Sequence, residues 1–286
     1  MGSFTCPEKY MLSSHATRFP ILIYPLKFKV AVAVPPSNDV DIFANDVGFI
    51  AILDENGGLA GFNVTAGGGM GVTHGNKKTY PRTADVLGFC TVEQGKDVAE
   101  KIMLVQRDNG NRAEYVFYHD SLHGGVCSCL QSRKNARLKY TIDRMGLKNF
   151  QTEVERRLGY KLQPARSFNF TSNIDEFGWV TGEDGRHHYT TFIENGRVQD
   201  EPEKNFKAGL REIAKIHKGD FKLTANQHII ISNVSDKELP EIKRLLSEYN
   251  LNNLNHSGLR LSSSACVAFP TCGAFNFPPS LYESQH

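Results

Sequence analysis

Residues 49–64, "FIAILDENGGLAGFNV", are two apolar runs separated by Glu55-Asn56-Gly57-Gly58, and "TAGGGMGVTHGNKKTYPR" follows directly over 65–82. Glycine and asparagine between apolar runs are the strongest short-range hairpin signal. The chain is therefore expected to pair two strands and then run from the second into a loop carrying Gly67, Gly68, Gly69 and Gly71. Glycine in such a place lets backbone approach a bulky or anionic ligand and aim N–H groups at it. The loop has neither the P-loop pattern nor the dinucleotide G-x-G-x-x-G fingerprint, so a flexible connection remains the alternative.

Other periods organise the rest. "KFKVAVAV" (27–34) alternates before a Pro-Pro stop and predicts a strand. Val98, Ile102 and Val105 follow helical spacing towards Asn109-Gly110, and Phe150, Val154 and Leu158 mark a helix around 147–158. Further on, "HHYTTFIENGRV" reads as a strand closed by an Asn-Gly turn. Phe206, Leu210, Ile213 and Ile216 predict a helix closed by Gly219, and "FKLTANQHIIIS" reads as one strand. Ser235 and Glu238 form a capping box ahead of Leu239, Ile242, Leu245 and Leu246. Strand, helix, strand, helix over 186–250 implies an α+β unit of ferredoxin-like type. Residues 1–23 and 114–132 show no period and predict no element.

With 286 residues, the chain has room for one large or two modest cores. A net charge of +2 gives no reason to expect a nucleic acid or other polyanion. No apolar run reaches the roughly 18 residues of a membrane span, and the N-terminal stretch lacks the pattern of a secretory signal. Six cysteines are too sparse for a secreted disulfide scaffold. These features together lead to the expectation of a reduced, cytoplasmic setting without membrane partners.

Several side chains invite a chemical reading. Lys27 and Lys29 share a face if 27–34 is a strand; they are either a solvated edge or a cationic wall for a small anion. In "RKNARLKY" (133–140), Arg133, Lys134, Arg137 and Lys139 either bind carboxylates or face water on a helix. Cys266 and Cys272, in "ACVAFPTC", have a spacing wrong for a zinc knuckle. An iron–sulfur cluster needs about four thiolates, and buried inert thiols are the alternative.

Taken in order, "KFKVAVAVPPSNDVDIFANDVGFIA", "GFNVTAGGGMGVTHGNKKTYPRTADVLGF", "VQRDNGNR", "RKNARLKYTIDRMG", "FIENGRV", "EIAKIHKGDFKLTANQ" and "ACVAFPTC" resemble the haemoprotein subunits of assimilatory sulfite reductases, within the nitrite/sulfite reductase family. The resemblance spans about 24–113 and 133–272, and is closer to the NADPH-dependent type. It implies a sirohaem-binding α/β domain over 24–178, with 114–132 as a foreign-looking insert. A ferredoxin-like half-domain over 179–250 and the start of a 4Fe–4S segment over 251–286 would follow, after an atypical N-terminal segment, 1–23. The implied activity is six-electron reduction of sulfite to sulfide at sirohaem coupled to a 4Fe–4S cluster, fed with NADPH electrons by a flavoprotein (FAD/FMN) subunit. Lys27 and Lys29 would bind the anion. Gly67, Gly68 and Gly69 would lie against the macrocycle, with Arg82, Arg137 and Gln227 also at the cofactor. Cys266 and Cys272 would be two of the cluster's four thiolates.

The family's second cysteine pair and its N-terminal half have no counterpart here, and 1–23, 114–132 and the stretch after 273 leave the family pattern. These departures are expected of a truncated or mis-spliced product that does not assemble a normal cluster by itself. Nitrite reduction with the same cofactors, and a non-catalytic ferredoxin-like module, are the alternative readings.

Overall fold

The computed structural model describes residues 28–72, 76–111, 135–202 and 204–265, together with the backbone of 115–119 and 127–131. The chain divides into two units, Met1–Ser172 and Asn173–His286.

In the first unit, β1 (Val30–Ala33), β2 (Val47–Leu53), β3 (Leu59–Ala66) and β4 (Asp85–Cys90) form a sheet in the order β1-β2-β3-β4. β1 runs parallel to β2, and the other pairs are antiparallel. The β2–β3 hairpin forms at the expected place. Gly57 takes φ +80°, and the Asp54 carboxylate accepts the N–H groups of Asn56 and Gly58 at 2.9 and 2.8 Å.

β2 is buried along nearly its whole length because both faces of the sheet are covered. Val47 and Phe49 point to the helical side, where they meet Val98, Ile102 and Val105 of α1 (Gly95–Asn109). Leu138 and Ile142 of α2 (Leu138–Met145) and Phe150 and Val154 of α3 (Leu147–Leu158) join the same core. Ile50 points the other way, to Ala33 and Ile42, against which Phe43, Phe168 and Phe170 pack. A fully buried Phe150 or Ile102 contributes about 1.5–3 kcal/mol. The tail after α3 is stitched to β3 by the buried Asn63 amide, which donates to Arg166 O at 2.7 Å and accepts from Arg166 N–H at 2.9 Å.

The segment in which sequence periods show no element contains paired backbone: β5 (Tyr115–His119) runs antiparallel to β6 (Cys127–Gln131). The first strand is shorter than the alternation predicts. It begins at Val30, so Lys29 precedes it, while Lys27 lies outside the described residues.

The second unit has β7 (Gly178–Thr181), β8 (His187–Thr191), the two-residue strands β9 (Asp200–Glu201) and β10 (Lys204–Asn205), and α4 (Phe206–Ile216). β11 (Asp220–Leu223), β12 (Ile229–Val234), α5 (Leu239–Glu248) and the single turn α6 (Gly258–Leu261) follow. Its main sheet is antiparallel, ordered β11-β12-β8-β7. Ile213 of α4 and Ile242, Leu245 and Leu246 of α5 pack on Tyr189, Ile231 and Val234.

Two expectations need correction. "FKLTANQHIIIS" is two strands rather than one, because Thr224–Gln227 turns the chain, with Gln227 at φ +71°. Helix α4 stops at Ile216 with His217 extended at its C-cap, so Gly219 does not close it. The capping box ahead of α5 is present in altered form: Glu238 accepts from both the N–H and the hydroxyl of Ser235, at 3.0 and 2.5 Å.

Candidate functional site

The three consecutive glycines leave the end of β3 and are gripped on every side. Gly67 N–H donates to Asp46 O at 2.8 Å and Gly68 N–H to Asn45 O at 3.0 Å. Gly69 and Arg82 exchange both backbone hydrogen bonds, at 2.8 and 3.0 Å, which closes the loop. Gly67 requires glycine's conformational freedom, at φ +88°. Gly68 requires its lack of bulk, since a Cβ there would sit 2.2 Å from Phe43 O and 2.6 Å from Asn45 O. Gly67–Gly69 therefore form a built turn.

Lys139 is the largest departure from the sequence reading. Neither a carboxylate ligand nor a water-facing residue, it is fully buried and donates from Nζ to the carbonyls of Gly69 and Gly71, both at 2.9 Å, and to that of Tyr80. Burial, reinforced by the nearby Arg137 charge, lowers its pKa to about 8.

Arg82 is spoken for as well. Its guanidinium reaches Asp143 Oδ1 at 2.7 Å, Asp85 Oδ2 at 2.5 Å, and the carbonyls of Gly67 and Thr83 at 3.1 and 3.0 Å. Asp143 also accepts the Tyr80 hydroxyl at 2.6 Å, and that bond pushes the phenol up to about 12.

Arg137 differs. It caps the N-terminal end of α2, held there by Gln106, whose buried amide donates to Ala136 O at 2.5 Å. Its guanidinium lies over Gly69, 2.6 Å from where a Cβ would stand, and its one acidic neighbour among the described residues is Asp46, at 3.9 Å. Lys29 reaches Ala44 O from Nζ at 2.8 Å, while its backbone N–H donates to Asp46 Oδ2 at 2.9 Å.

Lys29, the glycine turn and Arg137 thus converge on one residue that sequence reasoning passed over. Asp46 is 1 % exposed, and burial raises its pKa against the N–H of Lys29 and the charge of Arg137. A single acid just before an apolar strand, in "NDVGF", was the available signal. Its partners at 29, 67 and 137 are too far along the chain for any local period to reveal.

In the second unit, Gln227 is exposed on the β11–β12 turn and donates from Nε2 to Ala265 O at 3.0 Å. Neighbouring side chains fix that turn: Asn226 donates to the buried Asp175 at 2.9 Å, and His228 Nδ1 accepts Ile193 N–H at 3.1 Å. Cys266 and Cys272 lie outside the described residues.

Comparison with known proteins finds similar sequences along both units. The family described as the nitrite and sulphite reductase 4Fe-4S domain matches residues 18–116, and the nitrite/sulfite reductase ferredoxin-like half domain matches 181–249. The chain is 55 % identical over 250 residues to the sulfite reductase [NADPH] hemoprotein beta-component of Methylobacterium nodulans, covering 87 % of this chain and 38 % of that protein. The same component from Geobacillus thermodenitrificans is 53 % identical, with 87 % and 40 % covered. The chain therefore spans about two fifths of the length of these relatives. The NirA protein of Mycobacterium tuberculosis shares the fold at a TM-score of 0.62 and 22 % identity, over 81 % of this chain and 37 % of that one. From the two matched domains and these relatives, the chain belongs to the nitrite and sulphite reductase family.

Proposed function

We propose that this chain carries part of the sirohaem and anion site of a sulfite reductase, the enzyme that reduces sulfite to sulfide. The observation that carries the proposal is the convergence of Lys29, the Gly67–Gly69 turn and Arg137 on Asp46. Sirohaem is a flat macrocycle edged with carboxylates, and the chain offers matching features. The buried glycine turn carries the Arg137 guanidinium over Gly69, and with Asp46, at 3.9 Å, as its one acidic neighbour among the described residues, that guanidinium has donors left for a carboxylate.

Within this proposal, Arg137 pairs with cofactor carboxylates. Arg82, with its donors committed to Asp85, Asp143 and two carbonyls, shapes the glycine turn instead of reaching outward. Lys29, with Lys27 beside it in sequence, neutralises the bound anion and supplies protons as oxygen leaves sulfur. Gln227 is assigned to the cofactor on its sequence motif alone. Cys266 and Cys272 are assigned as two thiolates of the 4Fe–4S cluster on their sequence motif alone. When bound, sirohaem and cluster supply single-electron transfer to the anion, and a flavoprotein subunit is the proposed electron source. The family description also names nitrite, a smaller anion that the same lysines would accept.

The test is anaerobic loading of the purified full chain with sirohaem, followed by addition of sulfite and, separately, nitrite. The proposal expects a protein-bound Soret band that sulfite perturbs in the wild type and not in Lys29→Met. No bound band overturns the cofactor assignment. A band that responds to nitrite alone moves the substrate to nitrite.

A further inference from the structure

We infer that Asp46 is the positioning residue that fixes Lys29 and Arg137 relative to each other. The inference rests on the roles proposed for those two cations. One carboxylate divides its work between them. Oδ2 accepts the Lys29 amide at 2.9 Å, which holds the chain just before β1, and Oδ1 lies 3.9 Å from Arg137 Nη2. The backbone of the same residue accepts Gly67 N–H at 2.8 Å, so the glycine turn is referenced to the same point. The Lys29 ammonium ends on Ala44 O, two residues before Asp46, so the 44–46 stretch grips Lys29 by both main chain and side chain.

Stability alone does not account for a carboxylate here. Asp46 is 1 % exposed, and Oδ1 is buried without a hydrogen-bond partner among the described residues. Burying a charge whose second oxygen is unpaired is costly, and a well-packed neutral residue in such a place is often as stable or more so. What the charge provides is a fixed negative point, 3.9 Å from Arg137, on a carboxylate that also anchors the Lys29 main chain. A buried polar atom left unpaired in a shell that is otherwise satisfied calls for such an explanation.

The test uses the full chain as wild type, Asp46→Asn and Asp46→Ala. Lysines are labelled competitively with acetic anhydride and arginines with phenylglyoxal, and each site is read by mass spectrometry. In Asp46→Ala, Lys29 labelling should rise about fivefold, the equivalent of one lost hydrogen bond. Buried Lys139 should stay slow and exposed Lys96 should be unchanged. Asp46→Asn keeps an acceptor for the Lys29 amide but removes the charge. It should leave Lys29 within about twofold of wild type while Arg137 labelling rises about fivefold and committed Arg82 does not change.

If Lys29 and Arg137 label as in wild type in both variants, the inference is overturned. It is overturned equally if Lys139 and Arg82 rise in step with them, which would show general loosening. Should Asp46→Ala fail to fold, the Arg137 response in Asp46→Asn decides. Sirohaem uptake by the wild type is measured alongside. Its failure removes the proposed cofactor role and leaves the labelling ratios to judge Asp46.

Discussion

Lys139 Nζ donates to Gly69 O at 2.9 Å, a bond between residues 70 positions apart. Because the same ammonium also holds the carbonyls of Gly71 and Tyr80, helix α2 and the glycine turn move as one piece. The basic run thus has a divided use: Lys139 builds the turn from inside while Arg137, two residues earlier, faces out over it.

Replacing Lys139 with methionine keeps the bulk and removes the donor from the carbonyls of Gly71 and Tyr80, while Gly69 O keeps the Arg82 N–H. Lys139→Met should therefore lose about 1–3 kcal/mol in urea unfolding at neutral pH. Lys139 also predicts a pH effect. Its folded pKa of about 8 lies below the ordinary 10.5. Between those values the unfolded chain binds more protons, so wild-type stability should gain from this residue as pH rises from 8 to 10.5. Lys139→Met should lack that gain, as paired unfolding curves at the two ends of the window would show.

Gly68→Ala should be among the most damaging single-methyl changes in the chain. The added carbon would meet two backbone oxygens, at 2.2 and 2.6 Å, and backbone cannot swing aside as a side chain can. A cost of about 3 kcal/mol is expected from such overpacking. Gly57→Ala is the contrast, since nothing lies within 4 Å and only the positive φ is strained. It should cost about 1 kcal/mol. Thermal unfolding of the two variants side by side checks the difference.

The elements were largely legible in the sequence because they follow local periods. Val98, Ile102 and Val105 mark α1, and Phe150, Val154 and Leu158 mark α3; both helices formed where spacing put them. The Asn56-Gly57 turn likewise fixed the β2–β3 pairing. What local pattern could not show was tertiary use of charge. Lys139 looks like any polar helix residue until the carbonyls of residues 69, 71 and 80 are seen to converge on it. Asp46 looks like a strand-entry acid until Lys29 and Arg137 arrive from either end of the unit. The TANQ turn was hidden for a different reason: Phe221 and Leu223 before it and Ile229, Ile230 and Ile231 after it made two short strands read as a single one.

Glu238 predicts a stability effect in the second unit with the same pH sense as Lys139, in an acid window. Its carboxylate accepts from Ser235 twice and from Lys218 N–H at 2.7 Å, and the Ser235 hydroxyl above all holds its pKa at about 2. A depressed acid stabilises the fold above its unfolded value and loses that contribution as pH falls towards the folded one. Glu238→Gln should therefore cost about 1 kcal/mol at neutral pH. The gap between variant and wild type should close as pH falls from the ordinary 4.5 towards 2, measured by denaturant unfolding across that range.

The proposed meeting of Arg137, over the glycine turn, with sirohaem is tested by titrating sirohaem into the purified full chain. The wild type and Arg137→Met are compared by Soret absorbance, with thermal midpoints recorded for both. The account predicts saturable binding by the wild type, weaker by about tenfold in Arg137→Met for the loss of one charge-assisted contact. Because Arg137 faces the buried Asp46 carboxylate, Arg137→Met should also lower the midpoint, so both titrations are made well below either midpoint. No saturable binding by the wild type, or identical titrations from the two proteins, would contradict it.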